Sequence, residues 1–371
     1  GTVGSRCESL SGFYNVLAKE QDHVSTAERI SLPWSIQFSG NYFIHGFPEY
    51  ADHTRVTAPS MSDCIRMATD DAKKAYDFAD SGTPLFVYDP PPSTPMPSLV
   101  LGDIPVPHVS AASYLVADMD TNEVFLEQHA QDPHAIASVT KLMTALVANE
   151  TIPSGENVDI PRSELLPAQK NVSAMQETFF AGDLLYPLLM QANAAVADSL
   201  AEHYGTNDFV AWMNTTAERL GMQSTHFADA SGASAEDRSA PDDLYRLATY
   251  IADRDSFVLA MLRTPNKKLI AASGNAYSLS NANIFSDSAT LIGGKASKTA
   301  TTTDTMVSLF SMPLNNETRR VAIIVLASND ATADTTALAD WVAQSVQQGA
   351  LMAATACVSC VTAPQYRKIQ W

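Results

Sequence analysis

Ser138 and Lys141 lie three residues apart in Ala137-Ser-Val-Thr-Lys-Leu-Met-Thr-Ala-Leu-Val147, a run whose apolar residues recur at helical spacing. Positions three apart share a helix face, so the lysine amine can sit beside the serine hydroxyl. That pairing suits a serine nucleophile with a lysine as its base. The base must be uncharged to take a proton, which burial and a second nearby cation both favour. A serine at a helix start also keeps its own N–H free for an oxyanion. Alone, Ser-x-x-Lys recurs by chance and equally fits an exposed helix start. A second pairing joins His45, closing Asn41-Tyr-Phe-Ile-His45-Gly46, to Cys64 in Cys64-Ile-Arg66. An imidazole brought to a thiol yields a reactive thiolate, although a buried cysteine and a turn histidine give the same letters. Cys357-Val-Ser-Cys360 has redox or zinc spacing but supplies half a zinc site, lies in a terminal tail, and is assigned no catalytic role. Neither a metal nor an organic cofactor is implied.

These residues need elements to carry them. Asp89-Pro-Pro-Pro-Ser-Thr-Pro-Met-Pro97, followed by Ile104-Pro-Val-Pro107, reads as an extended, semi-rigid connector. It divides the chain into a first piece at 1–89, a linker at 90–108, a main domain at 109–350 and a tail at 351–371. In the first piece, Tyr42-Phe-Ile44 and Leu85-Phe-Val-Tyr88 suggest strands, and Thr69–Phe78 an amphipathic helix capped by its threonine. After the linker, Ala112–Asp118 and Glu123–Glu127 alternate as a hairpin turned at Asp120-Thr-Asn122. A mostly helical block runs from Ser138 to about Ala260, then strands at Thr305–Phe310 and Val321–Leu326, and a last helix from Asp334 to about Gln348. The order predicts an α+β (α/β) domain in which both ends of the segment build one antiparallel sheet around a helical insert. The first piece is mostly β. No internal repeat is apparent.

The main domain resembles the D-alanyl-D-alanine carboxypeptidase family, the low-molecular-mass penicillin-binding proteins. The resemblance rests on Val116-Ala-Asp118, Ile136-Ala-Ser-Val-Thr-Lys-Leu-Met-Thr-Ala145 and Asp183-Leu-Leu-Tyr-Pro-Leu-Leu189. It continues through Leu200-Ala-Glu-His203, Leu220-Gly-Met222, Thr225-His-Phe227 and Leu291-Ile-Gly-Gly-Lys295. It implies a DD-peptidase/β-lactamase-like fold and three motifs: SxxK, SxN on a loop between helices, and KTG on the strand lining the cleft. The first is intact. A gap-free alignment puts Ala192-Asn193-Ala194 at SxN, so Asn193 serves only if the loop shifts by one residue. Lys295-Ala296-Ser297 stands at KTG: the lysine expected to draw the substrate's terminal carboxylate is kept, and the threonine hydroxyl is lost. Strand alternation turns Ser297 to the same side as Lys295, where its hydroxyl substitutes in part. A missing relay or positioning donor costs on the order of 10²–10⁴ in rate.

The first piece resembles the later part of an L,D-transpeptidase (YkuD-like) catalytic domain over about residues 8–89. That family's HG and S-x-G-C-[IV]-R patterns correspond to His45-Gly46 and Met61-Ser-Asp-Cys64-Ile-Arg66. Gly12–Leu17, Ser81–Pro84 and Phe86–Tyr88 add support. The resemblance implies Cys64 as nucleophile, His45 as its base and Arg66 as a substrate-orienting residue. Met61-Ser62-Asp63 departs from S-x-G, and Asp63 would raise the thiol's pKa.

The chain has 371 residues, 46 % of them apolar, and a formal net charge of -18. That acidity argues against nucleic acid and against anionic membranes. No run of about 18 apolar residues reads as a transmembrane helix. Four cysteines do not make a disulfide scaffold. The opening Gly1-Thr2-Val3-Gly4, without initiator methionine or leader, reads as a processed form or a fragment. The expectation is an exported cell-envelope or periplasmic protein cleaving peptidoglycan stem peptides through an acyl-enzyme, with β-lactams as covalent inhibitors. The alternative is a peptidoglycan-binding scaffold that has kept the fold and lost the chemistry. A β-lactamase is third, since no deacylation base is marked.

Overall fold

The computed structural model describes residues 2–3, 12–25, 30–40, 42–50, 65–87, 98–162, 176–254, 256–282, 290–298 and 303–355. The chain divides into two compact units, the first built mainly from residues up to Ser93 and the second from Thr94 onward.

In the first unit, β1 (Thr2–Val3), β3 (Ala18–Ser25), β4 (Ile30–Ser39), β5 (Tyr42–His45), β6 (Glu49–Tyr50) and β7 (Ile65–Arg66) share a sheet ordered β1-β7-β5-β4-β3, with β6 beside β4. β2 (Gly12–Asn15) and β8 (Pro84–Val87) form a separate pair. Helix α1 (Thr69–Phe78) packs on β4. Thr69 is not its cap. Ala68 takes that position without a side-chain hydrogen bond, while the Thr69 hydroxyl accepts the Phe47 N–H at 3.3 Å.

The second unit centres on a five-stranded antiparallel sheet. Its strands are β9 (Ser113–Asp118), β10 (Glu123–Gln128), β17 (Leu291–Lys298), β18 (Asp304–Leu314) and β19 (Glu317–Ser328), in the order β10-β9-β19-β18-β17. The hairpin that opens the domain thus pairs with a strand about two hundred positions later, Val321 lying opposite Asp118. β19 is apolar without interruption from Val321 to Leu326, every residue fully buried. A strand covered on both faces reads as such a run rather than as an alternation. One face carries Val321, Ile323 and Val325 into a core with Leu338, Trp341, Val342 and Val346 of the closing helix α8 (Ala331–Thr355).

The helical block holds α2 (Lys141–Thr151), α3 (Ala181–Met190), α4 (Ala194–Tyr204), α5 (Thr206–Arg219), α6 (Pro241–Arg254) and α7 (Ser256–Arg263). It is less helical than its composition suggests. A hairpin of β12 (Asn157–Pro161) and β13 (Gln176–Phe180) interrupts it, and a second, β15 (Asn266–Ile270) with β16 (Ala276–Ser280), follows. Two short strands, β11 (His134–Ala135) and β14 (Arg238–Ser239), pair across the block.

The proline-rich connector is tied down where it is described. The Gly102 N–H donates to the Ser345 carbonyl at 2.7 Å, and the Trp341 indole donates to the Ile104 carbonyl at 3.2 Å. Leu99 is buried in the same core. Residues 98–104 therefore lie along α8 and do not form a free tether; 88–97 are outside the described residues.

Candidate active site

Ser138 sits in a single 3-10 turn, Ala137–Thr140, which runs into α2 at Lys141. The sequence predicts an ordinary helix start; the tighter turn has a consequence. In a 3-10 geometry side chains three apart eclipse rather than lean past each other. The Lys141 Nζ accordingly lies 3.1 Å from the Ser138 Oγ. Ala137, just before the serine, holds a left-handed backbone at φ 44°, a conformation that costs a non-glycine residue about 1–3 kcal/mol and clusters at functional sites.

Lys141 is 1 % exposed. Its amine donates to Ser138 and to the Ser231 carbonyl. Burial pulls its pKa down from 10.5 to about 8, against the upward pull of Asp198, Asp229 and Asp237. Desolvation dominates because an ammonium loses more on leaving water than three carboxylates restore. The amine is thus held close to the neutral state that a base requires.

The Ser231 carbonyl is set by a loop that the sequence reading passed over. The Asp229 carboxylate accepts the N–H groups of Ser231, Gly232, Ala233 and Ser234, at 2.8, 2.6, 3.3 and 2.7 Å. Asp237 accepts from Ala228 N and from the Thr140 hydroxyl, at 2.6 and 3.0 Å, tying that loop to the serine turn. Asp229-Ala-Ser-Gly232 carries an Asx-turn signature, and that was the available signal. Gly232 has φ +74°, and a Cβ there would stand 2.0 Å from the Ala137 carbonyl oxygen. Only glycine fits against the peptide preceding the serine.

Lys295 lies on β17, opposite Val307 of β18. It is 5 % exposed, and its amine donates to the Leu189 carbonyl at 3.2 Å. Burial first, and then the positive charge of Lys141, lower its pKa to about 7. The two amines are near enough for the charge of one to act on the other. Ala296 turns the other way, packing against the sheet core. Ser297 faces the serine turn as strand alternation predicts, and its Oγ accepts the Ser138 N–H at 2.9 Å. That N–H, expected to be free, is therefore engaged.

Asn193 is the N-cap of α4, where its Oδ1 accepts the Val196 N–H at 3.1 Å. Ala192 before it is left-handed, at φ 52°. The side-chain oxygen is spent on the helix end, and Ala192 and Ala194 bring no polar group.

In the first unit, His45 ends β5 and pairs with Arg66 of the parallel β7. The ring is 1 % exposed, with Nδ1 against the Gly46 carbonyl. Among the described residues Nε2 is buried without a hydrogen-bond partner. Burial, helped by Arg66, lowers its pKa to about 4 against the upward pull of Gly46, so it is neutral at pH 7. Arg66 lies over the Phe47 ring, 5.7 Å from its centroid. Cys64, Cys357 and Cys360 are outside the described residues. Among those described, no helix is long and apolar enough to cross a membrane.

Residues 103–330 match peptidase family S11, D-alanyl-D-alanine carboxypeptidase. A D-alanyl-D-alanine endopeptidase of Escherichia coli strain K12 is 31 % identical over 179 residues, covering 47 % of this chain and 57 % of that protein. A D-alanyl-D-alanine carboxypeptidase of Mycobacterium tuberculosis is 32 % identical over 136 residues, 35 % of this chain and 46 % of its own. The chain spans about half the length of these curated relatives. Penicillin-binding protein D2 of Listeria monocytogenes, solved with cefotaxime bound, shares the fold at a TM-score of 0.55 and 24 % identity, over 64 % of this chain and 98 % of that one. A lysine-backed serine, a buried lysine on the facing strand, and a match running from residue 103 past the last strand to residue 330 place this chain in the D-alanyl-D-alanine carboxypeptidase family.

Proposed function

We propose that the second unit is a serine-type D-Ala-D-Ala carboxypeptidase acting on peptidoglycan stem peptides outside the cytoplasm. Ser138 Oγ attacks the carbonyl between the last two D-alanines, and Lys141 takes the hydroxyl proton. The oxyanion is held by backbone N–H, that of Ser138 among them, and Lys295 holds the terminal carboxylate. The C–N bond then breaks, Lys141 returning its proton to the departing D-alanine amine. Water attacks the acyl carbon, and the serine recovers its hydroxyl as the ester bond breaks. The observation that carries this reading is the buried Lys141 amine, 3.1 Å from Ser138 Oγ with its pKa lowered to about 8. β-Lactams, which present a strained amide and a carboxylate, would acylate the same hydroxyl. Incubation with a fluorescent penicillin should label the protein covalently, and Ser138→Ala should remove the label. No adduct after hours would refute the reading.

A second reading, binding of stem peptides without turnover, is favoured by Ala192 and Ala194 at the SxN position and by the Asn193 side-chain oxygen being committed to a helix cap. It is met if a pentapeptide stem binds while no D-alanine is released.

For the first unit we propose an L,D-transpeptidase-like role with Cys64 as nucleophile, His45 as base and Arg66 orienting the substrate. A buried neutral imidazole with its Nε2 unpartnered among the described residues supports it. Iodoacetamide should alkylate Cys64 faster in the wild type than in His45→Ala; equal rates remove His45 from the mechanism.

A further inference from the structure

The Ser138 N–H is the backbone donor that the proposed function gives to the reacting carbonyl oxygen. An oxyanion donor works at about 2.7–3.1 Å from the oxygen it stabilises. The Ser297 hydroxyl oxygen already occupies that shell, at 2.9 Å. Neither partner drifts there by chance. Ser297 is fixed by β17, paired with Thr305 of β18, and Ala296 beside it is anchored in the core on the opposite face. The donor is fixed from the other side. Gly232 packs so closely that a Cβ would stand 3.1 Å from Ser138 N and 2.0 Å from the preceding carbonyl oxygen. The 137–138 peptide thus cannot swing its N–H to a new direction, and the serine side chain is the movable part.

We propose that Ser297 is a rate- and specificity-determining residue whose hydroxyl stands in for the substrate carbonyl in the resting site and must rotate away before Ser138 is acylated. This rests on the reading of Ser138 as the nucleophile. The hydroxyl satisfies a half-buried donor, so the resting site is stable and slow. A substrate carbonyl enters by exchanging one acceptor for another, and an acyl donor with few other contacts to the site is penalised most. A side chain of this kind needs a Cβ and an oxygen, neither of which the glycine of a KTG motif possesses.

The test compares the second-order rate of covalent labelling by a fluorescent penicillin in the wild type, Ser297→Ala and Ser297→Gly, each with a Ser138→Ala partner as blank. Removing the competitor should speed labelling about tenfold, the factor one displaced hydrogen bond is worth. Unchanged or slower labelling in both Ser297 variants, with the wild type still labelled through Ser138, overturns the proposal and leaves the nucleophile standing. Absence of label in every protein overturns the nucleophile reading, and the gate with it. The contact has its own readout, independent of reactivity. The Ser138 amide proton should move upfield in Ser297→Ala, and an unmoved resonance also refutes the proposal.

Discussion

At the scale of single residues, the proposed chemistry turns on one amine losing its charge. Lys141 titrates at about 8 in the folded chain, below the 10.5 of an exposed lysine. A base acts only when neutral, so the active fraction grows as pH rises through the folded pKa. Acylation by a penicillin should therefore climb with pH and level off once pH passes about 8. A profile still rising above pH 9.5 would mean that the lysine is not buried as described. Lys141→Ala should lower the acylation rate by about 10²–10⁴. Ser138 and Lys141 were legible in the sequence because helical spacing alone joins them. Ser297 was legible only as a direction along a strand. Its grip on the Ser138 N–H joins residues 159 positions apart, and no local pattern encodes that. Ser231 and Asp229 were passed over because their contribution is a carbonyl oxygen and a set of loop N–H acceptors, not a reactive side chain. Asn193 illustrates the converse: its type suits a catalytic amide, but a polar side chain before a helix is first of all a cap.

At the scale of elements, a glycine and a turn decide where Ser138, the proposed nucleophile, stands. Gly232→Ala puts a methyl into the Ala137 carbonyl and a side chain onto a left-handed backbone. It should cost about 1–3 kcal/mol of stability and lower acylation more than it lowers the melting temperature, because the displaced peptide carries Ser138. Thermal melts alongside labelling rates check this; a variant with normal labelling would mean that the loop gives way instead. The hairpin β12–β13 escaped the sequence reading because it interrupts a stretch that is helical on average, and β15–β16 lies between that stretch and the strands that were read after it. β9, β18, β19 and α8 were found; β9 starts one residue later than expected, at Ser113, whereas β18 and β19 outrun their apolar stretches because pairing continues past the buried residues, β18 running to Leu314 and β19 beginning at Glu317.

At the scale of the whole molecule, the second unit closes its sheet with a charge pair that the sequence did not reveal. Arg319 and Asp118, both fully buried, meet at 3.1 Å across the β9–β19 junction. Burial outweighs the arginine in setting the Asp118 carboxyl, pushing its pKa up. Such a pair adds little net stability when whole, but breaking it leaves an unpaired charge indoors, at about 3–5 kcal/mol. Arg319→Ala should therefore unfold at markedly lower urea concentration, whereas Arg320→Ala, whose Asp120 contact is partly open to solvent, should lose about 1 kcal/mol or less. Stability should also follow pH. Lys141 and Lys295 release protons near 8 and 7 in the folded chain but keep them to 10.5 when unfolded. Between about pH 7 and 10.5 the unfolded state binds more protons, so these two lysines make the fold more stable as pH rises. Replacing Lys295 by methionine should flatten that slope; an unchanged slope would place the titration elsewhere.

The strand of chain at 98–104 has a consequence of its own. Gly102 and Gly349 are the points where this segment and α8 touch backbone to backbone or nearly so: a methyl on Gly349 would stand 1.9 Å from the Val100 carbonyl oxygen. The opening segment of the second unit and its closing helix are thereby sewn along a single seam. Strain put into either of the two segments is therefore felt by the other, although about 240 positions of chain separate them.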